Sequence, residues 1–85
     1  MTGELMLKQA AAVVANRRAT YGEPRVTMAE IAKRWSITLG QPITAAQVAL
    51  CLIDLKLARL AFDPTHLDSM VDIAGYAAVL REVSR

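Results

Sequence analysis

The sequence predicts an all-α fold, a small antiparallel four-helix bundle, on three observations. Apolar residues recur at helical spacing in four segments, and residues typical of helix ends separate these segments. No run of five or more residues has the period-two alternation of a strand. Short connections favour antiparallel neighbours, so we expect one domain over residues 1–85, with helices near 4–19, 27–39, 45–62 and 66–84.

The third helix has the strongest pattern. Thr44 and Gln47 have the spacing of a capping box, in which the two residues bond each other's free backbone N–H groups. Nearly every position from Val48 to Phe62 is apolar, which predicts a helix that is buried on all sides. Cys51, among leucines, is expected to be a small core residue.

The other helix ends have weaker signals. Helix one should end at the turn 21–24, where a glycine permits positive φ and a proline blocks continuation. Thr27 and Glu30 have capping-box spacing and predict the start of helix two. Thr65 and Asp68 form a weaker box that predicts the start of helix four.

Composition predicts self-association. The chain has 85 residues and is 54 % hydrophobic, above the usual fraction of about 45–50 %. A domain this small buries only about 60–65 % of its unfolded surface. We therefore expect a homo-oligomer in which some apolar faces meet a second copy.

Charge and targeting signals narrow the function classes. A net charge of +2 with mixed signs along the chain does not favour nucleic-acid binding. The N-terminus lacks the basic start and apolar run of a signal peptide, and one cysteine with one histidine cannot form a zinc site in one chain. The third helix is too short and too charged to span a bilayer. We expect a cytoplasmic protein, in the host cell if a phage encodes it.

Helices three and four each have a polar face inside an apolar segment. Lys56 and Arg59 lie on one side of helix three, whereas Asp68, Asp72 and Tyr76 are spaced by four on helix four. As hairpin neighbours, the two helices can set these faces against each other. Two interpretations follow: ion pairs that fix the register of the hairpin, or a pocket for a phosphorylated ligand.

Three further residues are candidates for ligand contact. His66 lies near the hairpin turn, where helix capping or solvent exposure is expected ahead of acid–base chemistry. Tyr21 can stack on a base while Arg25 and the neighbouring arginines contact phosphate, or it can pack on the surface against Trp35.

Polar and apolar residues at fixed spacing give the chain a resemblance to a known family. The motifs are Tyr21-Gly22-x-Pro24, Ile31-Ala32-x-x-Trp35-Ser36, Leu39-Gly40, Val48-Ala49-Leu50, Leu55-Lys56-x-Ala58-Arg59-Leu60 and Pro64-x-His66-x-Asp68-Ser69-x-Val71-Asp72-Ile73-Ala74-Gly75-Tyr76. Over nearly its whole length the chain resembles small proteins of tailed phages and prophages. Some of these are labelled MazG-like, after all-α nucleoside triphosphate pyrophosphohydrolases that are obligate oligomers.

The resemblance leads to one expected function and two alternatives. MazG enzymes hold magnesium with acidic residues on two adjacent helices; Asp68 and Asp72 resemble the second set, whereas helix three has Lys56 and Arg59 in place of the first. We therefore expect a phage-type oligomeric module that holds a phosphorylated nucleotide without turnover or cofactor, such as a cyclic nucleotide or ADP-ribose signal of bacterial defence. The alternatives are a magnesium-dependent pyrophosphohydrolase, with Asp54 of a second copy helping Asp68 and Asp72, and a structural bundle without a small ligand.

Overall fold

A computed structural model describes residues 1–84 of the protein, and these residues form four α-helices. They are α1 (Gly3–Tyr21), α2 (Pro24–Leu39), α3 (Ala45–Phe62) and α4 (Leu67–Val83). Within residues 1–84 there is no strand, which confirms the predicted all-α fold. α3 and α4 form a hairpin; α1 packs on α4, and α2 packs on both α3 and α4.

The start of α3 is as predicted. The Thr44 hydroxyl accepts a bond of 3.1 Å from the Gln47 backbone N–H, and the Gln47 side-chain oxygen accepts one of 2.9 Å from the Thr44 N–H. Just upstream, the Ser36 hydroxyl accepts from the Ile43 N–H at 2.9 Å and donates to the Ala32 carbonyl at 2.7 Å. Ser36 therefore ties the end of α2 to the segment that leads into α3.

The predicted start of α2 is wrong by one turn. The helix begins at Pro24, with Glu23 at the N-cap, and Thr27 lies inside its first turn, near the carbonyls of Glu23 and Pro24. Proline at the first helical position has its φ already set for a helix and lacks an N–H that would go unpaired there. This proline therefore sets the start, and the capping-box spacing of Thr27 and Glu30 is not used.

Gly22 and His66 set two other helix boundaries. α1 runs to Tyr21, two residues past the predicted end, and Gly22 follows it with φ of +92°. α4 is capped by His66 and not by Thr65, because Nδ1 of His66 accepts from the Ser69 backbone N–H at 3.3 Å. Thr65 instead donates its hydroxyl and its N–H to the Asp63 carboxylate.

The prediction that α3 is buried on all sides is wrong for the single chain. Val48 and Ala49 are fully buried, but Phe62 is 94 % exposed and Leu50 is 48 % exposed. Cys51, expected in the core, is exposed as well. The reason is topological: α2 and α4 cover one side of α3, while α1 packs on α4 and leaves the other side of α3 uncovered.

The four helices form an open arrangement. The radius of gyration is 13.5 Å, against about 12 Å expected for a globular domain of this length. Where α1 meets α4 the approach is close, because a Cβ on the buried Gly75 would lie 3.4 Å from a methyl group of Val14. None of the helices in residues 1–84 is long and apolar enough to cross a membrane.

Candidate functional site

A cleft of about 680 Å³ lies between α1 and α2, with α4 beside them. Most of its lining is apolar, from Val13 and Val14 of α1, Val26, Met28 and Ile31 of α2, Leu52 of α3 and Val79 of α4. Small-molecule sites commonly have volumes of about 300–1,000 Å³ and combine apolar walls with a few polar groups. The cleft therefore has the size and wall chemistry of such a site.

Asp72 is the polar centre of the cleft. One carboxylate oxygen lies 2.9 Å from Nζ of Lys56, and the other lies 3.5 Å from Nη2 of Arg17. The side chains of Asp72 and Lys56 are only 15 % and 13 % exposed, whereas that of Arg17 is 47 % exposed. A nearly buried ion pair thus joins α3 to α4, and an accessible arginine extends it to α1.

Tyr76 completes this cluster. Nη1 of Arg17 donates to the Tyr76 hydroxyl at 3.3 Å, and the guanidinium carbon lies 5.9 Å from the centre of the Tyr76 ring. The hydrogen bond to Tyr76, with the negative charge of Asp72 adding to it, raises the pKa of Arg17 above its ordinary value against the opposing effect of burial. Arg17 therefore stays fully charged in the cleft, and the hydrogen bond to Tyr76 uses one of its five N–H donors.

A second group of charged residues closes one end of the cleft. Arg18 lies 2.5 Å from the Glu23 carboxylate and 2.6 Å from that of Glu82, and these contacts, chiefly the hydrogen bond that Arg18 donates to Glu82, raise the pKa of Arg18. Arg25 donates from Nε to the Glu82 carbonyl at 3.1 Å. These contacts fix the α1–α2 turn against the end of α4, so the cleft has a defined end wall.

The cleft includes part of the predicted site. Asp72, Tyr76 and Tyr21 line it, and Tyr21 is 71 % exposed. The expected contact between Lys56 and the acidic face of α4 is present, although Lys56 reaches Asp72 without lining the cleft. Arg25 lies on α2 beside lining residues and keeps most of its donors free.

Three predicted residues lie elsewhere. Arg59 is exposed and forms no ion pair among residues 1–84, so it is not the second buried cation that the sequence predicted. Asp68 is exposed in the first turn of α4. His66 caps that helix, which is one of the roles that the sequence predicted for it. None of the three lines the cleft.

Sequence reasoning missed the central role of Arg17. The sequence indicates Arg17 only as one of the arginines near Tyr21, yet in three dimensions it contacts Asp72 and also Tyr76, which is 59 residues away in sequence. Its spacing of four from Tyr21, which places both on one side of α1, is the one signal that could have indicated it. The apolar residues that line the cleft gave no such signal, because their pattern in the sequence is that of ordinary core residues.

Among residues 1–84 of one chain, the carboxylates do not form a metal site. Residues 1–84 contain no group of three or more histidine, cysteine, aspartate or glutamate side chains placed to hold a metal ion. Magnesium needs several carboxylate or water oxygens, and Asp72 already faces two cations. The residues of a single chain therefore do not fit the magnesium ion of the hydrolase alternative.

Comparison with known proteins assigns the family. The family model described as a domain of unknown function (DUF6378) matches residues 5–84. The chain belongs to the DUF6378 family. No solved structure matches the chain.

Two relatives of this DUF6378 chain are phage proteins. It is 36 % identical over 80 residues to the Gene 55 protein of Mycobacterium phage L5, covering 92 % of this chain and 51 % of that protein. It is 33 % identical over 81 residues to the Gene 55 protein of Mycobacterium phage D29, covering 94 % of this chain and 54 % of that protein. The chain spans about half the length of these relatives. The resemblance to phage proteins is thus confirmed, whereas the relation to MazG enzymes stays a prediction.

Proposed function

We propose that this DUF6378 chain is an oligomeric module that binds a phosphorylated nucleotide in the cleft between α1 and α2 without turnover. The observation that carries the proposal is the cluster of Arg17, Asp72 and Tyr76 in a cleft whose walls are otherwise mostly apolar. A nucleotide combines an aromatic base, a sugar with hydroxyl groups and an anion. The cluster and the nearby Tyr21 together offer a complementary group for each of these parts.

Arg17 is the group proposed to contact phosphate. Its side chain is half exposed, and the donors that Tyr76 and Asp72 leave free can form charge-assisted hydrogen bonds to phosphate oxygens. Arg25, at the edge of the cleft, supplies a second guanidinium. Lys56, whose ammonium group lies 2.9 Å from Asp72, is assigned the role of holding Asp72 in position.

The remaining contacts serve the base and the sugar. Tyr21 is free to stack on a base, and Met28 and Ile31 provide an apolar wall. Asp72 has both oxygens engaged by cations but retains lone pairs that can accept from a ribose hydroxyl. The proposal therefore assigns the phosphate to α1, the sugar to α4 and the base to the side of the cleft nearest α2.

Calorimetry with a nucleotide panel tests the proposal. The panel includes nucleoside mono-, di- and triphosphates, cyclic mono- and dinucleotides and ADP-ribose, each titrated first with EDTA and then with magnesium. We expect binding that EDTA does not affect and no release of pyrophosphate. Because one charge-assisted hydrogen bond contributes about 1.5–3 kcal/mol, Arg17→Ala should weaken binding about 10- to 150-fold.

Lys33→Ala is the matched control, since Lys33 is an exposed cation of α2 that does not line the cleft. An equal loss of nucleotide affinity in both variants would indicate a general effect of charge and would contradict the assigned site. Pyrophosphate release that requires magnesium would replace the proposal with the hydrolase alternative, with carboxylates drawn from more than one copy. If no member of the panel gives a heat of binding, the remaining interpretation is a structural bundle without a small ligand.

A further inference from the structure

α3 exposes a continuous apolar side. At about 100° per residue, Leu50 and Leu57 lie on one edge of this side, Leu55 and Phe62 lie on the other, and Cys51 and Ala58 lie between them. Leu50, Leu55 and Leu57 are about half exposed, and Phe62 is 94 % exposed. Asp54 is the one charged residue within this side of α3. Such a patch marks an interaction surface in a folded protein.

The exposed area of the chain matches what a dimer would bury. The accessible surface is 5816 Å² for 9.2 kDa, whereas a folded monomer of this mass exposes about 4,900 Å². The excess of about 900 Å² is close to the roughly 800 Å² that each partner contributes to a standard interface. A second copy of the chain would therefore bury an area close to this excess.

Charge on the α3 face selects the orientation of that copy. In a parallel two-fold pair, Asp54 would lie beside Asp54 of the second copy, and like charges across an interface are unfavourable. Asp54 is exposed and forms no ion pair among residues 1–84. An antiparallel two-fold pair separates the two Asp54 residues along the helix axis and forms every contact twice.

We propose that the exposed side of α3 is a two-fold interface with a second copy of this chain, antiparallel and in the register that places Cys51 opposite Phe62 of the second copy. The same register places Ala58 opposite Leu55 of the second copy, so a small side chain faces a large one at each of these levels. Leu52, on the other side of α3, lines the cleft, so the interface leaves the cleft open. The inference does not depend on what the cleft binds.

Light scattering after size exclusion at micromolar concentration tests the assembly. We expect about 18 kDa for the parent, twice the chain mass of 9.2 kDa. Leu57→Glu should give the monomer mass, because a charge in the apolar contact opposes pairing, and the exposed position keeps the fold intact. Leu39→Glu, at an exposed leucine of α2, is the matched control and should remain a dimer. A monomeric parent overturns the inference.

Cross-linking tests the register, and a Phe62→Cys variant that does not link on oxidation overturns it. Oxidation of the Phe62→Cys variant should link two copies through the introduced thiol and Cys51. The parent should not cross-link, because the two Cys51 residues would be about 16 Å apart along the helix axis. A disulfide-linked parent dimer would indicate the parallel arrangement and overturn the proposal.

Discussion

Replacing Asp72 by alanine should destabilise the fold severely, because it leaves Lys56 as a nearly buried cation without its partner. Two unit charges 2.9 Å apart attract each other by about 6 kcal/mol at an effective dielectric of 20. The cost of removing both charges from water offsets much of this attraction. Breaking such a pair from one side nevertheless costs about 3–5 kcal/mol, since the remaining charge stays desolvated.

This cost is comparable to the whole stability of the domain. At about 0.05–0.15 kcal/mol per residue, a chain of this length has a free energy of unfolding of about 4–13 kcal/mol. With a urea slope near 1 kcal/mol per molar, the midpoint should fall by about 3 M or more. Arg17 reduces the effect little, because its side chain is half exposed and can turn to solvent.

Urea unfolding at one fixed protein concentration measures the effect, with far-UV circular dichroism and the fluorescence of the single tryptophan as signals. Asp68→Ala is the matched control, since Asp68 is exposed on the same helix and should cost less than about 1 kcal/mol. Lys56→Met combined with Asp72→Leu removes both charges, and it should recover most of the loss.

Two results would refute this reasoning about the Lys56–Asp72 pair. The first is an Asp72→Ala midpoint equal to that of the parent. The second is a loss of the same size when Asp72→Ala is made in a Lys56→Met background, because the cycle would then show no coupling between the two charges. Either result would also remove the support that holds Asp72 in the cleft.

Two predictions concern the hairpin turn. His66→Ala should lower the free energy of unfolding by about 1 kcal/mol, because the Ser69 N–H loses the acceptor that caps it. His66→Asn should retain most of the stability of the parent, because asparagine is a good N-cap residue. Equal urea midpoints for the alanine variant and the parent would contradict the capping role of His66. The two hydrogen bonds from Thr65 lower the pKa of Asp63 below its ordinary value. The contribution of Asp63 to stability is therefore present above the ordinary pKa of an aspartate, about 3.9, and is lost as the pH falls through the lower pKa of the folded state. Thermal unfolding from pH 5 to pH 2.5 should therefore show an acid-dependent loss in the parent that Asp63→Asn lacks, and parallel curves would argue against it.

The sequence determined the helices because their signals are local. The capping box of Thr44 and Gln47 acts within one turn, and Gly22, with its positive φ, ends α1 before Pro24 starts α2. Hairpin geometry then made the contact between Lys56 and Asp72 predictable, since α3 and α4 are joined by a short loop and must lie side by side. Each of these features depends on residues close in sequence or on adjacent helices.

Tertiary structure alone decided which surfaces meet. An apolar side of a helix shows that it needs cover, but not which element covers it, because burial of apolar area is non-directional. α1 packs on α4, and this one choice exposes the outer side of α3, opens the cleft and brings Arg17 to Asp72 and Tyr76. The site depends on a contact between distant segments that no local pattern in the sequence specifies.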